Sequence, residues 1–472
     1  MEIASETERK YDVPEAFTLP ALIGTAGIRS TTGAKTFDLD ATYFDTDDLT
    51  LMRNRRTLRR RMGGSDAGWH LKTPGEGGSR TEHRLPLNGN PDKVPADLTG
   101  LVRAIIRRRA LKPIARLRTH RVETPLRDAK GNTLALVAQD AVTAESGQGE
   151  QRWQEVEVEL VTGDAALLAE VERLLLTAGA RPASGPSKVA RALGNPPVKA
   201  PNIISKDPVL AYACAQRDAL TEWDPGVRRG DPDSVHKMRV ATRRLRSTLK
   251  TFKRTFPGND DLNVELKWLA DLLGAVRDGQ VQKHKLYDPV AAAGPDFAAA
   301  AKRIGKHLDD QVKHGLRALS DELDGERYLT LLDRVDRLTV EGVPENDPLA
   351  RARKSLAKAD RLLDQALADG EDTELHEARK AYKKARYAVE VFEPSAGKPG
   401  KDLINRLTDL QDVLGAHQDS VVARELLREL GPDDFWFGVL WARQEQVGKD
   451  TYAQLPVVVE ESRNKKLRKW IN

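Results

Sequence analysis

One cysteine, Cys214, stands in 472 residues. A single thiol builds neither a disulfide framework nor a thiolate zinc site within the chain, and it suits a reducing compartment. No window approaches the roughly 18 uninterrupted apolar residues of a membrane span. The first residues carry alternating acids in place of a basic and then apolar leader, so the expected location is the cytoplasm. An excess of one charge is missing too: 76 Lys and Arg against 71 Asp and Glu leave +5, too balanced for a nucleic-acid coat. No glycine-rich loop ends in Gly-Lys-Ser/Thr, which argues against a P-loop nucleotide site. What is abundant is charge of both signs, 31% of residues, beside 39% hydrophobic residues, enough for sizeable cores. Many cations together with carboxylates able to hold a metal suit phosphate chemistry.

Two patterns divide the chain. Up to residue 194, short alternating runs are separated by turn residues such as Gly63-Gly64, Pro74-Gly75, Asn88-Gly89 and Gly131-Asn132. This predicts an α+β domain over 1–194, a meander of antiparallel strands interrupted by helices near Pro14–Leu22, Thr99–Leu111 and Asp164–Ala178. Residues 195–208 contain Pro196, Pro197, Pro201 and Pro208 and read as an extended linker. From 209 to 472, apolar residues recur every three or four positions, which predicts an all-α bundle. That half repeats itself. His236-Lys237-Met238-Arg239 with Ala241, Arg243-Arg244, Arg246 and Phe252 returns 140 residues later as His376-Glu377-Ala378-Arg379 with Ala381, Lys383-Lys384, Arg386 and Phe392. Leu273-Gly274-Ala275 and Asp278 return as Leu414-Gly415-Ala416 and Asp419, an offset of 141. The spacing predicts a duplicated unit with pseudo-two-fold symmetry, repeats near 209–340 and 341–472.

In a strand, alternate side chains share a face, so Glu6, Glu8 and Lys10 point together, as do Glu155, Glu157 and Glu159 between their valines. Basic strands alternate likewise: Arg59 and Arg61, Arg116 and Arg118, and Lys72 after Trp69. Closed into a barrel, such strands put carboxylates and cations in one polar tunnel. Unpaired charges there are costly, so they meet one another, a metal or a charged ligand.

These residues resemble the CYTH domains, the triphosphate tunnel metalloenzymes. Glu6-Thr7-Glu8-Arg9-Lys10 is similar to the ExExK signature. Tyr43-Phe44-Asp45-Thr46, Leu58-Arg59-Arg60-Arg61, Trp69-His70-Leu71-Lys72, Arg80-Thr81-Glu82, Thr119-His120-Arg121, Asp140, the Glu155–Leu160 strand and Ser187-Lys188 follow in order. The resemblance implies an eight-stranded antiparallel barrel whose tunnel binds a triphosphate with Mg²⁺ or Mn²⁺. It implies Glu6, Glu8, Glu155 and Glu157 as metal carboxylates, with Glu159 a further member and Asp140 nearby. Lys10, Arg59, Arg61, Lys72, Arg121 and Lys188 would hold the phosphates beside Glu82, with Arg118 competing with Arg121 for one position. Lys10, Glu6, Glu8 and Asp140 form the implied catalytic set. The expected substrate is inorganic tripolyphosphate. Relatives that cyclise ATP or hydrolyse organic triphosphates leave a cyclase or another triphosphatase open, and a binding scaffold without turnover is the third reading.

At 100° per residue, His236, Arg239, Arg243, Arg246 and Lys250 fall within one arc of a helix, opposite Met238, Ala241, Leu245 and Leu249. His376, Arg379, Lys383 and Arg386 repeat the stripe. Two such faces related by a pseudo-two-fold axis line one positive groove suited to a repetitive polyanion. This half resembles the CHAD domain, which implies binding of inorganic polyphosphate and association with polyphosphate granules. Gln280 stands where the family pattern has a second acid, and Gln418 replaces the counterpart of Arg277. Trp268, Trp436 and Trp441 read as packing residues. Lys465, Lys466, Arg468 and Lys469 read as a frayed basic tail or an extension of the anion surface.

Overall fold

Alternation sorts the N-terminal strands by polarity, and the apolar side of the sheet is the one covered by helices. In the computed structural model, residues 2–74, 80–87, 89–196 and 205–471 are described, apart from the side chains of residues 3–6. The chain divides into two units, Met1–Asn202 and Ile203–Asn472. The first contains β1 (Glu2–Glu6), β2 (Glu8–Val13), β3 (Lys35–Asp45), α1 (Thr50–Arg53), β4 (Thr57–Met62), β5 (Gly68–Pro74), β6 (Arg80–Leu85), α2 (Ala96–Ile106), β7 (Lys112–Arg127), β8 (Thr133–Ser146), β9 (Gly149–Leu160), α3 (Ala165–Thr177), β10 (Arg181–Pro182) and α4 (Lys188–Ala192).

The described strands form one antiparallel sheet in the order β1-β6-β5-β4-β3-β7-β8-β9-β2-β10. Ten strands stand where eight were expected, because the N-terminal strand is interrupted at Thr7 and the two-residue β10 is added. The two halves of that N-terminal segment sit far apart in the order: β1 pairs with β6, and β2 pairs with β9. Tyr11, Val137, Val156 and Val158 pack against Leu167, Leu168, Val171 and Leu175 of α3. Phe44, Leu58, Trp69 and Leu71 pack against Leu98, Leu101, Val102 and Ile106 of α2. The intervening positions, from Lys10 to Glu157, face a cavity. Gly63 and Gly64, both near φ +79°, turn β4 into β5; a Cβ on Gly63 would lie 2.1 Å from the carbonyl oxygen of Asp38.

The three expected helices fare differently. Asp164 caps α3 by accepting from the Leu167 amide at 2.9 Å, so that helix starts where its capping residue predicts. Thr99–Leu111 is displaced to Ala96–Ile106, ending where Arg107 takes φ +58°. Pro14–Leu22 is not helical. One turn bond joins Phe17 to Pro14, Pro20 has no amide proton to give, and Phe17, Leu19 and Leu22 pack instead on the apolar face of the sheet.

The second unit is helical: α5 (Pro208–Arg228), α6 (Pro232–Thr251), α7 (Asp260–Gln282), a π-turn (Lys283–Tyr287), α8 (Asp288–Ala291), α9 (Ala298–Asp324), α10 (Glu326–Glu341), α11 (Pro348–Asp369), α12 (Asp372–Glu390), α13 (Glu393–Leu430, broken at Gly397), α14 (Phe435–Ser462) and α15 (Lys465–Arg468). The repeat is visible in its start signals. Asp207 caps α5 and Asp347 caps α11, each followed by proline at the first helical position. The Phe252 and Phe392 rings, 140 residues apart, lie 6.3 Å from each other edge to face. Buried Glu390 ties the repeats together: it accepts from Tyr212 Oη at 2.7 Å, Arg244 Nε at 2.9 Å and Arg386 Nη1 at 2.5 Å. Trp436 packs edge-on to Phe297, and the Arg327 guanidinium lies 4.2 Å over Trp268. The basic tail is helical, with Arg468 bound to Asp360. Among the described residues, no helix is long and apolar enough to cross a membrane.

Removing the Glu390 carboxylate leaves two guanidiniums and a hydroxyl without their shared acceptor. Glu390→Ala is expected to destabilise the helical unit by about 3 kcal/mol in urea denaturation followed by circular dichroism. Asp310→Ala, which removes only an exposed partner of Lys306, is expected to leave the midpoint unchanged.

Candidate functional site

The polar face of the sheet lines a cavity of about 320 Å³. Its acidic wall comes from β2 and β9, with Asp140 of β8 adjoining it; the register sets Lys10 opposite Glu157, Glu8 opposite Glu159, and Asp140 opposite Glu155. Asp140, Glu155 and Glu157 bring one oxygen each within 4.8 Å of the others, and all three are buried or nearly so. Lys188, the first residue of α4, reaches into this group, with Nζ 2.9 Å from Asp140, 2.6 Å from Glu155 and 2.8 Å from Glu157. Arg121 donates twice to Asp140, at 2.8 and 2.7 Å, and once to Glu157 at 2.7 Å. Lys10 pairs with Glu157 and lies 3.2 Å from Glu8. Trp153 Nε1 donates to the second oxygen of Glu155 at 2.7 Å.

Burial alone would push these carboxyls up. The neighbouring cations win: Lys10, Lys188 and Arg121 hold Glu157 well below the ordinary carboxylate range. Lys188 and Arg121 lower Asp140, and Lys10 lowers Glu8. All three are therefore ionised at neutral pH. Hard carboxylate oxygens clustered this closely fit a small divalent cation such as Mg²⁺ or Mn²⁺.

The opposite wall, from β4, β5 and β6, is cationic. Arg59, Arg61 and Lys72 share the cavity with Glu82, a buried acid that organises them. Glu82 lies 3.0 Å from His70 Nδ1, 3.8 Å from Lys72 and 3.9 Å from Arg59, and also pairs with Arg84. These groups overcome its burial and hold it far below the ordinary range. Arg61 pairs with Asp66, while its burial and the nearby Arg59 push its guanidinium down to about 10. Arg59 Nη1 donates to Tyr43 Oη at 3.3 Å. The Nε atoms of Arg59 and Arg61 are buried without an acceptor. An anion in the cavity would supply what they lack.

Most of the expected tunnel residues meet here: Glu8, Lys10, Arg59, Arg61, Lys72, Glu82, Arg121, Asp140, Glu155, Glu157 and Lys188, with Glu159 on the same wall. The Glu6 side chain lies outside the described residues; its backbone pairs with Arg80, on the same parity as Glu8. Arg118 does not belong. Its side chain is 53% exposed and pairs with Glu145, because strand parity turns Arg116 and Arg118 away from the face that carries Arg121. His70 and Asp66 were not anticipated as site residues. His70 shares the parity of Lys72, a usable signal, whereas Asp66 sits in the β4–β5 turn, where parity says nothing; His70 Nε2 faces the carbonyl oxygen of Asp66 at 2.9 Å.

In the helical unit, Gly274 and Gly415 explain the repeated Leu-Gly-Ala motifs. Arg239 lies across α7, with Nη2 3.4 Å from the position of a Cβ on Gly274, and Arg379 lies across α13, 3.8 Å from that of Gly415. The Nε of each arginine is buried without an acceptor. Asp278 orients Arg239 at 3.1 Å. Arg243 and Arg239 of α6 act on Arg379 and Lys383 of α12, so the two stripes share one electrostatic field. Burial and the four arginines Arg243, Arg379, Arg239 and Arg386 push Lys383 down to about 7. Arg246 donates weakly to Asn263 at 3.4 Å, and Arg386 is engaged by Gln411 and Glu390.

Three members of the expected stripes behave otherwise. Burial and Arg277 lower His236, which is neutral at pH 7 and adds no charge. His376 Nδ1 donates to Gln418 Oε1 at 2.6 Å. Lys250 acts on Lys384, with Lys358 and Lys253, whereas Lys383 is governed by burial and its four arginine neighbours. The oxygen of Gln280 is buried without a partner. Lys285, in the π-turn, takes Asp419 at 2.6 Å, a contact between repeats that no motif announced.

Residues 4–193 match the CYTH domain and residues 211–428 match the CHAD domain. The uncharacterized protein Rv2226 of Mycobacterium tuberculosis is 37% identical over 494 aligned residues, covering 95% of this chain and 94% of that protein. Among solved structures, PptA from Streptomyces chartreusis is 18% identical with a TM-score of 0.47, covering 54% of this chain and 98% of its own. The CHAD domain from the plant Ricinus communis is 24% identical with a TM-score of 0.40, covering 56% of this chain and 90% of its own. With both domains matched in order and a relative alike along nearly its whole length, the chain belongs to the family in which a CYTH domain is followed by a CHAD domain.

Proposed function

We propose that the N-terminal cavity hydrolyses a triphosphate with the help of a divalent metal, inorganic tripolyphosphate first, and that the α6/α12 groove binds long-chain polyphosphate. In this reading residues 1–194 are the enzyme, 195–208 the linker and 209–472 the polyphosphate-binding domain. The two halves of the N-terminal strand, paired with β6 and β9, would close the sheet into an eight-stranded barrel. One observation carries the proposal: guanidinium nitrogens buried without acceptors among the described residues share a single cavity with Glu8, Glu157 and Glu159, and Glu157 belongs to a buried three-carboxylate cluster.

Arg59, Arg61, Lys72 and Arg121 fix the phosphate chain, with Glu82 positioning Arg59 and Lys72. Glu8, Asp140, Glu155 and Glu157 would hold Mg²⁺ or Mn²⁺, with Glu6 and Glu159 as the further members of the acidic set. The ion would neutralise phosphate oxygens as charge develops in the transition state. Lys10, held charged by Glu157 and Glu8, adds a fixed positive charge beside the reacting phosphate. In the helical unit, Arg239, Arg243, Arg379 and Lys383 form the centre of the polyphosphate site, flanked by Arg246 and Arg386.

Phosphate release from tripolyphosphate, ATP and long-chain polyphosphate with Mn²⁺ tests the first half. Tripolyphosphate is expected to be the fastest, and Glu157→Gln is expected to slow it by more than about 100-fold. Cyclic AMP and pyrophosphate from ATP would instead identify a cyclase, and no turnover with bound tripolyphosphate would identify a scaffold.

Arg239→Ala with Arg379→Ala is expected to weaken polyphosphate binding at least about tenfold and to flatten its salt dependence, leaving tripolyphosphate hydrolysis intact. Displacement of polyphosphate by RNA at equal phosphate concentration would overturn the specificity of the groove.

Lys383 supplies a pH test. Its ammonium loses its proton near pH 7, and only the charged form attracts an anion, so polyphosphate affinity is expected to fall from pH 6 to pH 8. Lys383→Arg, charged throughout, is expected to remove that part of the pH dependence in fluorescence titrations.

A further inference from the structure

Lys188 holds a position that its chemistry does not require of a phosphate ligand. Its Nζ has three carboxylate oxygens within 2.9 Å, one from each member of the acidic cluster, and these same three residues form the candidate metal site. A compact cation ringed by oxygens is the arrangement a divalent ion makes. The remaining oxygens are also committed, to Arg121 and Trp153, and Lys10 shares the Glu157 oxygen that Lys188 takes.

Charge counting sharpens the point. Glu8, Asp140, Glu155 and Glu157 bring four negative charges, and Lys188, Lys10 and Arg121 bring three positive ones. Adding a divalent ion while every cation stays in place turns a net −1 into a net +1 in a buried site, a cost that the departure of one cation removes. One cation must leave. Arg121 is held by three hydrogen bonds from a rigid planar group on β7. Lys188 ends in a point charge on a flexible four-carbon stem, and α4 is anchored independently: Val189, Ala190 and Ala192 are buried with Trp153, Val142 and Ala115. Its ammonium can swing within the cavity while the helix stays seated.

We propose that the Lys188 ammonium is an internal stand-in for the divalent cation, competing with the metal for Asp140, Glu155 and Glu157 and passing to the phosphate chain when the metal takes its place. The inference rests on the metal-assisted reading of the tunnel and adds its order: metal alone binds weakly, because the displaced ammonium gives up three carboxylates with no phosphate to receive it, and phosphate relieves the competition. Metal and triphosphate then bind cooperatively through one side chain.

The test reads metal binding directly in the full chain. Free Mn²⁺ is measured by electron paramagnetic resonance without any phosphate, for the wild type, Lys188→Met, which keeps the stem and removes the charge, and Lys188→Arg, which keeps the charge. Lys188→Met is expected to bind Mn²⁺ at least about tenfold more tightly than the wild type, with Lys188→Arg remaining weak. The same Lys188→Met protein is expected to bind tripolyphosphate more weakly in chelator. A lysine that serves only packing would not move the two ligands in opposite directions. Unchanged or weaker Mn²⁺ binding by folded Lys188→Met overturns the inference. If that variant does not fold, Lys188→Gln, which can still donate to the carboxylates, replaces it under the same criterion. Failure here leaves the tunnel reading standing when the wild type binds Mn²⁺ and hydrolyses tripolyphosphate; a wild type that does neither overturns both.

Discussion

Charge compensation inside the sheet is the constraint on which the N-terminal unit depends. An ordinary antiparallel sheet turns its apolar face to a core and its polar face to water. Here the apolar face is covered by α2 and α3, and the polar face surrounds a cavity dense with ionised groups. Each of those charges would be expensive alone. They persist because the register sets Lys10 beside Glu157 and Glu82 among His70, Lys72 and Arg84. The compensation is incomplete at Arg59 and Arg61, whose buried Nε atoms lack acceptors. In the proposed function, that residual imbalance is where a ligand of several negative charges would find its binding energy.

The helical unit handles charge by a different device. Its stripes are brought together by duplication, and small residues let them approach: Gly274 and Gly415 allow Arg239 and Arg379 to lie flat against neighbouring helices. Symmetry is broken where it would be costly. At one position Arg244 meets Glu390, and at the related position, 140 residues on for one partner and back for the other, Lys384 faces Lys250. One half of the pseudo-symmetric pair is thus a buried tie that holds the repeats together, and the other adds to the positive surface. The two units share no fold, yet each presents cations whose hydrogen-bonding capacity its own residues do not exhaust.

Period-two alternation and helical repetition made much of this legible. The parity of Glu8 and Lys10, of Glu155, Glu157 and Glu159, and of Arg59 and Arg61 is a local property of extended backbone, and these residues line one cavity, with Glu155 behind Glu157 in the acidic cluster. The 140-residue repeat likewise placed α6 and α12 as equivalents, because equal spacing on a helix repeats the same face. Asp164 announced α3 through its capping side chain.

Tertiary structure decided what local periodicity does not encode. Whether Arg118 or Arg121 turns inward depends on which side of β7 the helices cover, and that is settled by the apolar clusters elsewhere in the chain. Pro14–Leu22 has apolar spacing compatible with a helix, but packing on the sheet and a missing amide proton left it irregular, with a single turn bond. His236 looks like a member of a basic stripe, and its burial together with the nearby Arg277, both set by the fold, lowers it further from carrying charge. Asp66 and Lys285 act through turns that bring them to partners no pattern could name. The sequence by itself determined which residue types share a face; the fold decided which faces meet, because pairing across strands and helices joins residues more than a hundred positions apart, beyond the reach of any local period.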